Sequence, residues 1–124
     1  VVARIDASPG ISGHAQPMTS AIENILRNAV HHSPPEGVVQ IILGEDKEGV
    51  SIEIRDQGPG VEPGELASLF QPFFRTRRAT ESKHSSGTGL GLAIAERAVK
   101  INGGTITARN HPDGGLVVRI HFLK

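Results

Sequence analysis

An apolar stripe in the first third of the chain constrains the fold most. Met18, Ala21, Ile22, Ile25, Leu26, Ala29 and Val30 recur at offsets of 3, 4, 7, 8, 11 and 12 residues, the spacing of one face of an α-helix. Pro17 suits a first-turn position, and Ser33-Pro34-Pro35 stops the run. A helix with a single apolar face must bury it against another layer. Short β-branched runs supply that layer: Val1–Ile5, Val38–Leu43, Val50–Ile54, Thr105–Arg109 and Gly115–Phe122. The second and third flank a charged turn and read as an antiparallel hairpin; the last two flank Asn110-His111-Pro112-Asp113-Gly114 and form a terminal pair. A second long helix is predicted from Gly89 to Ile101 on the set Leu90, Ala93, Ile94, Ala98 and Ile101, ended by Asn102-Gly103-Gly104. A short helix is predicted over Glu62–Phe70. The expected fold is α+β: a two-layer sandwich over residues 1–124, with a mixed, largely antiparallel five-stranded sheet covered on one face by three helices.

Charge and composition remove several function classes. Thirteen basic residues balance thirteen acidic ones, so no global field favours nucleic acid or an anionic membrane. Without tryptophan or tyrosine, stacked platforms for single strands are unsupported, and nucleic acid is not an expected partner. The absence of cysteine removes disulfides and thiolate metal sites. No apolar run approaches the ~20 residues of a membrane span. The chain opens inside an apolar stretch without an initiator methionine and is expected to be an excised domain.

Three polar motifs carry chemistry. Asn24, Asn28 and His31 fall at i, i+4 and i+7 and share one helical face; the amide oxygens of the two asparagines suit a hard cation such as Mg²⁺, although on this helix alone an ordinary wet face is the favoured account. Asp56-Gln57-Gly58-Pro59-Gly60 ends the third strand. A carboxylate there could accept the exocyclic amine of adenine and repel the carbonyl of guanine, with Gly58 and Gly60 leaving room for the ring; a plain Asp-led turn is the alternative. Gly87-Thr88-Gly89-Leu90-Gly91-Leu92 opens into the second long helix, presenting backbone N–H groups and a helix dipole to an anion. Between these motifs, residues 75–86 carry four cations (Arg75, Arg77, Arg78 and Lys83) against Glu81. They form a loop expected to be mobile and able to close over phosphates as a lid. Phe70, Phe73 and Phe74 anchor the base of that loop rather than stack on a base.

Other phosphate and hydrolase signatures fail on detail. Pro63 sits where the helix of a dinucleotide fingerprint should open, no glycine precedes a lysine as in a phosphate loop, and there is no H-E-x-x-H pair or G-x-S-x-G elbow. His31 and His32 point to different helix faces, so a histidine metal site is not expected. The positive motifs are individually weak, yet in this order they describe a complete Mg–ATP site.

On these motifs the chain resembles the catalytic and ATP-binding domain of bacterial sensor histidine kinases. That superfamily also holds type II topoisomerase ATPase domains, the 90-kDa heat-shock chaperones and the MutL mismatch-repair proteins. The resemblance runs from about Ile11 to Phe122: residues 24–33 resemble the N box, 56–60 the G1 box, 69–75 the F box and 87–92 the G2 box. It implies that Asn28 ligates Mg²⁺, that Asn24 lies beside the phosphates, that Asp56 accepts the adenine amine, and that Arg75 reaches the γ-phosphate at transfer. Asn24 and Arg75 are then the catalytic pair. The implied nucleotide-binding set is Asn24, Asn28, His31, Asp56, Gly58, Gly60, Phe73, Arg75, Arg77, Gly87, Thr88, Gly89, Leu90 and Gly91. It further implies a phosphotransfer to histidine in a two-component phosphorelay. The acceptor would lie on a separate dimerisation and phosphoacceptor domain of a homodimeric parent, which would act on a cognate response regulator. The domain itself would be cytoplasmic, in an inner-membrane sensor.

Hydrolysing members of the superfamily carry a glutamate base one turn before the metal-binding Asn; here Asn24 holds that position, and Glu23 is turned about 100° round the helix. His31 and His32 stand where the family often has a basic and then an aromatic residue. No histidine of this chain lies in a phosphoacceptor context. A self-contained ATPase, an anti-sigma-type serine kinase and a non-catalytic nucleotide sensor are the rival readings.

Overall fold

The computed structural model describes residues 2–7, 19–34, 36–45, 47–72, 74 and 91–123, with residues 2–7, 19 and 20 described by backbone alone. Five strands, β1 (Val2–Ala7), β2 (Val38–Glu45), β3 (Gly49–Arg55), β4 (Thr105–Asn110) and β5 (Leu116–Leu123), form one sheet among these residues, in the order β1-β2-β3-β5-β4. β1 pairs with β2 in parallel, with Val2 opposite Val38 and Ala7 opposite Leu43. The remaining pairs are antiparallel. The sheet is therefore mixed and largely antiparallel, as its composition predicts.

Register follows from alternation. Ile41 faces Ile54, Leu43 faces Ile52, and Ile54 and Ile52 face Val118 and Ile120 on β5. One face of the sheet is thus a continuous apolar surface, because a one-residue slip would send every one of these side chains to the other side. Helices α1 (Thr19–His32) and α2 (Gly91–Ile101) lie against each other and cover that face. Ala21, Ile25 and Ala29 of α1 and Leu92, Ala95 and Val99 of α2 join Val39, Ile41, Ile54, Ile106, Val118 and Ile120 in a single core. Alanines on both helices let the backbones approach closely while the longer side chains fill the space beneath.

The other sheet face is polar and charged: Glu53 lies 3.7 Å from both Arg109 and Arg119. Val117 is nonetheless buried there between its register neighbours Arg55 and Arg109, covered by the apolar stems of long polar side chains.

Two sequence expectations need correction. The apolar stripes do not fall as the periodicity implies. On α1, Val30 is 48% exposed. On α2 the buried residues are Leu92, Ala95 and Val99, none of them in the predicted set; of that set, Ala93 and Ala98 are half-buried and Ile94 and Ile101 are 45% and 74% exposed. An offset of 12 residues carries Val30 about 120° round the helix from Met18, and the buried set of α2 recurs at 3 and 7 residues from Leu92, a second helical spacing of the same apolar-rich segment. The predicted short helix is a 3-10 helix, Pro63–Ser68, and not a longer element. Its carbonyls bond three residues on, as in Glu65 N–H to Glu62 O at 2.8 Å, and Gly64 inside it weakens a regular α-helix. Leu69 and Phe70, which follow it, still pack onto the core, completing the three-helix cover. α2 ends as its glycines predict, with the Gly104 N–H donating to the Val99 carbonyl at 2.9 Å. No helix among the described residues is long and apolar enough to cross a membrane.

Candidate functional site

The loop after β3 meets the end of α1 and the β4–β5 turn, and the start of α2 faces Asn24 earlier on α1. Asp56 is the first residue past β3 and is 2% exposed. A buried carboxylate needs donors, and the backbone supplies them: Oδ1 accepts the Gly58 N–H at 2.9 Å and the Leu116 N–H at 3.0 Å. The Asp56 N–H donates to the Leu116 carbonyl at 3.0 Å. Oδ1 and the backbone N–H of Asp56 are thereby committed to the fold.

Gly58 sits tight against the end of α1. A Cβ there would collide with the His32 carbonyl oxygen, so this close approach admits only glycine. The contact is reinforced by Ser33, whose Oγ accepts the Gln57 N–H at 3.2 Å, while Gln57 Oε1 accepts the Val38 N–H at 2.9 Å. The loop after β3 is therefore tied to the end of α1 and to the start of β2 together.

On α1, Asn24 and Asn28 are both half-buried, whereas Glu23 is exposed. Asn24 faces the start of α2: its Oδ1 would lie 3.7 Å from a Cβ on Gly91. The fold thus brings the first Asn motif to the helix that the glycine-rich stretch opens, 67 positions later in the chain. Amide oxygens on this face, beside a helix start, form a donor set that fits Mg²⁺ and the phosphates it accompanies. The described residues hold no group of three His, Asp or Glu side chains suited to a metal, so a cation here would rely on an amide oxygen, water and phosphate.

His31 is exposed and His32 half-buried. Their rings meet edge to face, with centroids 5.7 Å apart. Burial pushes the His32 imidazole below its ordinary value, against the opposing pull of Asp56 and with a small contribution from His31.

Of the sequence-derived set, the structure places Asp56 and Gly58 against the end of α1, Gly60 against Asn110, and Gly91 against Asn24, with Asn28 and His31 on the same helix between them. Phe73, Arg75, Arg77, Gly87, Thr88, Gly89 and Leu90, with the predicted lid, lie outside the described residues. Sequence reasoning missed Ser33, Gln57, Asn110 and Leu116. Three of these act through backbone partners, and Leu116 contributes only its own backbone, so no residue pattern signals them. Asn110 was legible only as a turn former.

A family model described as histidine kinase-, DNA gyrase B- and HSP90-like ATPase matches residues 13–124. Sensor histidine kinase CpxA of Escherichia coli (strain K12) is 41% identical over 104 residues, which are 84% of this chain and 22% of that relative. The chain therefore spans about a fifth of that relative's length. Among solved structures, a mycobacterial sensor histidine kinase, MprB, superposes with a TM-score of 0.84 at 30% identity, over 98% of this chain and 82% of that one. Full-length ShkA in complex with AMPPNP superposes with a TM-score of 0.74 at 25% identity, over 97% of this chain and 25% of that one. With the boxes in order in the sequence and a family model matching residues 13–124, the chain belongs to the histidine kinase-, DNA gyrase B- and HSP90-like ATPase family.

Proposed function

We propose that this chain is the nucleotide-binding and catalytic part of a sensor histidine kinase, holding Mg–ATP and passing its γ-phosphoryl group to a histidine on another domain. The observation that carries the reading is the buried Asp56, whose Oδ1 accepts two backbone N–H groups; its Oδ2 would choose the base. An oxygen held this way accepts the adenine amine and repels a carbonyl at the same ring position. Bound nucleotide in the similar protein ShkA supports the same use of the fold.

Asn28 would hold Mg²⁺ by its amide oxygen, and the ion would neutralise phosphate charge as the phosphoryl group leaves. Asn24, turned toward α2, would position the phosphates, and the backbone of residues 87–91 would cradle them. His31, Phe73, Arg75 and Arg77 complete the nucleotide-contacting set, with Arg75 reaching the transferred group. Asn24 stands where a hydrolase of this superfamily places its glutamate, and Glu23 is exposed. A site lacking its own base activates water poorly and suits a nucleophile brought from outside. The partners are then the dimerisation and phosphoacceptor domain of a homodimeric parent and, through it, a response regulator; the chain would work on the cytoplasmic side of an inner-membrane sensor.

The test is a titration with ATP and GTP, with and without Mg²⁺, for wild type, Asp56→Asn and Asn28→Ala. ATP preference is expected in wild type and lost in Asp56→Asn, and Mg²⁺ dependence should weaken in Asn28→Ala. Equal binding of ATP and GTP by wild type would sink the adenine assignment. Supplying the parent's phosphoacceptor domain in trans should yield acid-labile phosphohistidine; rapid ATP hydrolysis by the chain alone would refute the base-free reading of Asn24.

A further inference from the structure

The loop from Asp56 to Val61 carries the base-selecting carboxylate, and its two ends are fastened to one place. At the first end, the Leu116 carbonyl accepts the Asp56 N–H and the Leu116 N–H donates to the Asp56 carboxylate. At the second, Asn110 grips Val61: Oδ1 accepts the Val61 N–H at 2.8 Å and Nδ2 donates to the Val61 carbonyl. Asn110 and Leu116 are cross-strand partners at the closed end of the β4–β5 pair. One cross-strand pair therefore sets the span of the whole loop. The amide mimics a strand edge, offering one acceptor and one donor to the two backbone groups of a single residue. Its approach is close: Gly60 adopts φ +78°, and a Cβ there would stand 2.8 Å from Asn110 Oδ1.

We infer that Asn110 is a specificity-positioning residue: by clamping Val61 against the Leu116 end of the sheet, it holds the Asp56 loop at the distance from which its carboxylate discriminates the base. It touches no nucleotide itself and acts through Asp56. The inference rests on the adenine reading of the site.

Inosine triphosphate separates positioning from mere support, because it presents a carbonyl where adenine carries its amine and so gains nothing from a well-placed Asp56. In the 124-residue chain, Asn110→Ala should weaken ATP binding about tenfold, the loss of one charge-assisted hydrogen bond, and leave ITP binding unchanged. Asn110→Asp, which keeps the acceptor but sets an oxygen against the Val61 carbonyl, should narrow the ATP/ITP ratio in the same direction and covers the case in which the alanine variant does not fold. In an Asp56→Asn background, Asn110→Ala should no longer alter the ratio. Equal losses for ATP and ITP, or an unchanged ratio in both Asn110 variants, would overturn the inference while leaving the adenine reading intact. Wild type binding ATP and ITP alike would overturn the adenine reading, and the inference with it.

Discussion

Replacing Asp56 by alanine and by asparagine should have sharply different consequences, because its two oxygens do different work. Oδ1 accepts two backbone N–H groups, one of them fully buried at Leu116 and one partly buried at Gly58. Asparagine keeps an oxygen there. It converts two charge-assisted bonds to neutral ones, a loss of roughly 1 kcal/mol each, offset in part because a charge no longer needs burial at 2% exposure. The net cost should be about 1 kcal/mol. Alanine strands both donors, and an unsatisfied buried group costs roughly 1–3 kcal/mol; counting Leu116 in full and Gly58 in part gives about 3 kcal/mol. With 124 residues and an unfolding entropy of about 2.1 cal/mol/K per residue, the melting temperature moves by ~4 °C per kcal/mol. Asp56→Asn should thus melt about 4 °C and Asp56→Ala about 12 °C below wild type. Far-UV circular dichroism is the suitable assay, since the chain has neither tryptophan nor tyrosine. Both variants should lose the preference for ATP over ITP. If they melt within about 3 °C of each other, the carboxylate is not what satisfies Leu116 and Gly58, and the division of labour between its oxygens is wrong.

Gly58→Ala drives a methyl into the His32 carbonyl, a backbone atom that cannot rotate aside; the expected cost is roughly 1–3 kcal/mol, with weakened nucleotide binding, and a fully stable variant in chemical denaturation would refute the close approach. His32 gives a pH dependence of definite sign. Its folded value lies below its unfolded one, so folding is not penalised above about pH 6.5, and stability falls as pH drops below that value and the unfolded state takes up the proton. His32→Gln should flatten the melting-temperature profile between about pH 5 and 7; a profile as steep as that of wild type would assign the titration elsewhere.

Much of the architecture was legible because burial and local geometry are written in residue order. Alternation along β2, β3 and β5 dictates which side chains enter the core, and a period of 3.6 orients α1 over them. The stripe on α1 misjudged Val30, and that on α2 named Ile94 and Ile101 where Leu92, Ala95 and Val99 are the buried residues. The reason is that α2 carries apolar residues at more than one helical spacing, and periodicity alone does not say which of them faces the sheet. The motifs at residues 24–28 and 56–60 were legible through residue type: amides that suit a hard cation, a carboxylate that suits an amine.

What the chain alone left open is how those motifs meet. Asn24 faces Gly91, and Asp56 is fastened to Leu116, 60 residues away. The clamp of Asn110 on Val61 spans 49 positions. The contacts of Asp56 and Asn110 are directed hydrogen bonds to backbone groups, which every residue possesses and no side-chain pattern marks. The sequence by itself determined a two-layer sandwich and the kind of ligand it suits. Only the tertiary structure decided which oxygen of Asp56 is committed to the fold and which residue holds the far end of its loop.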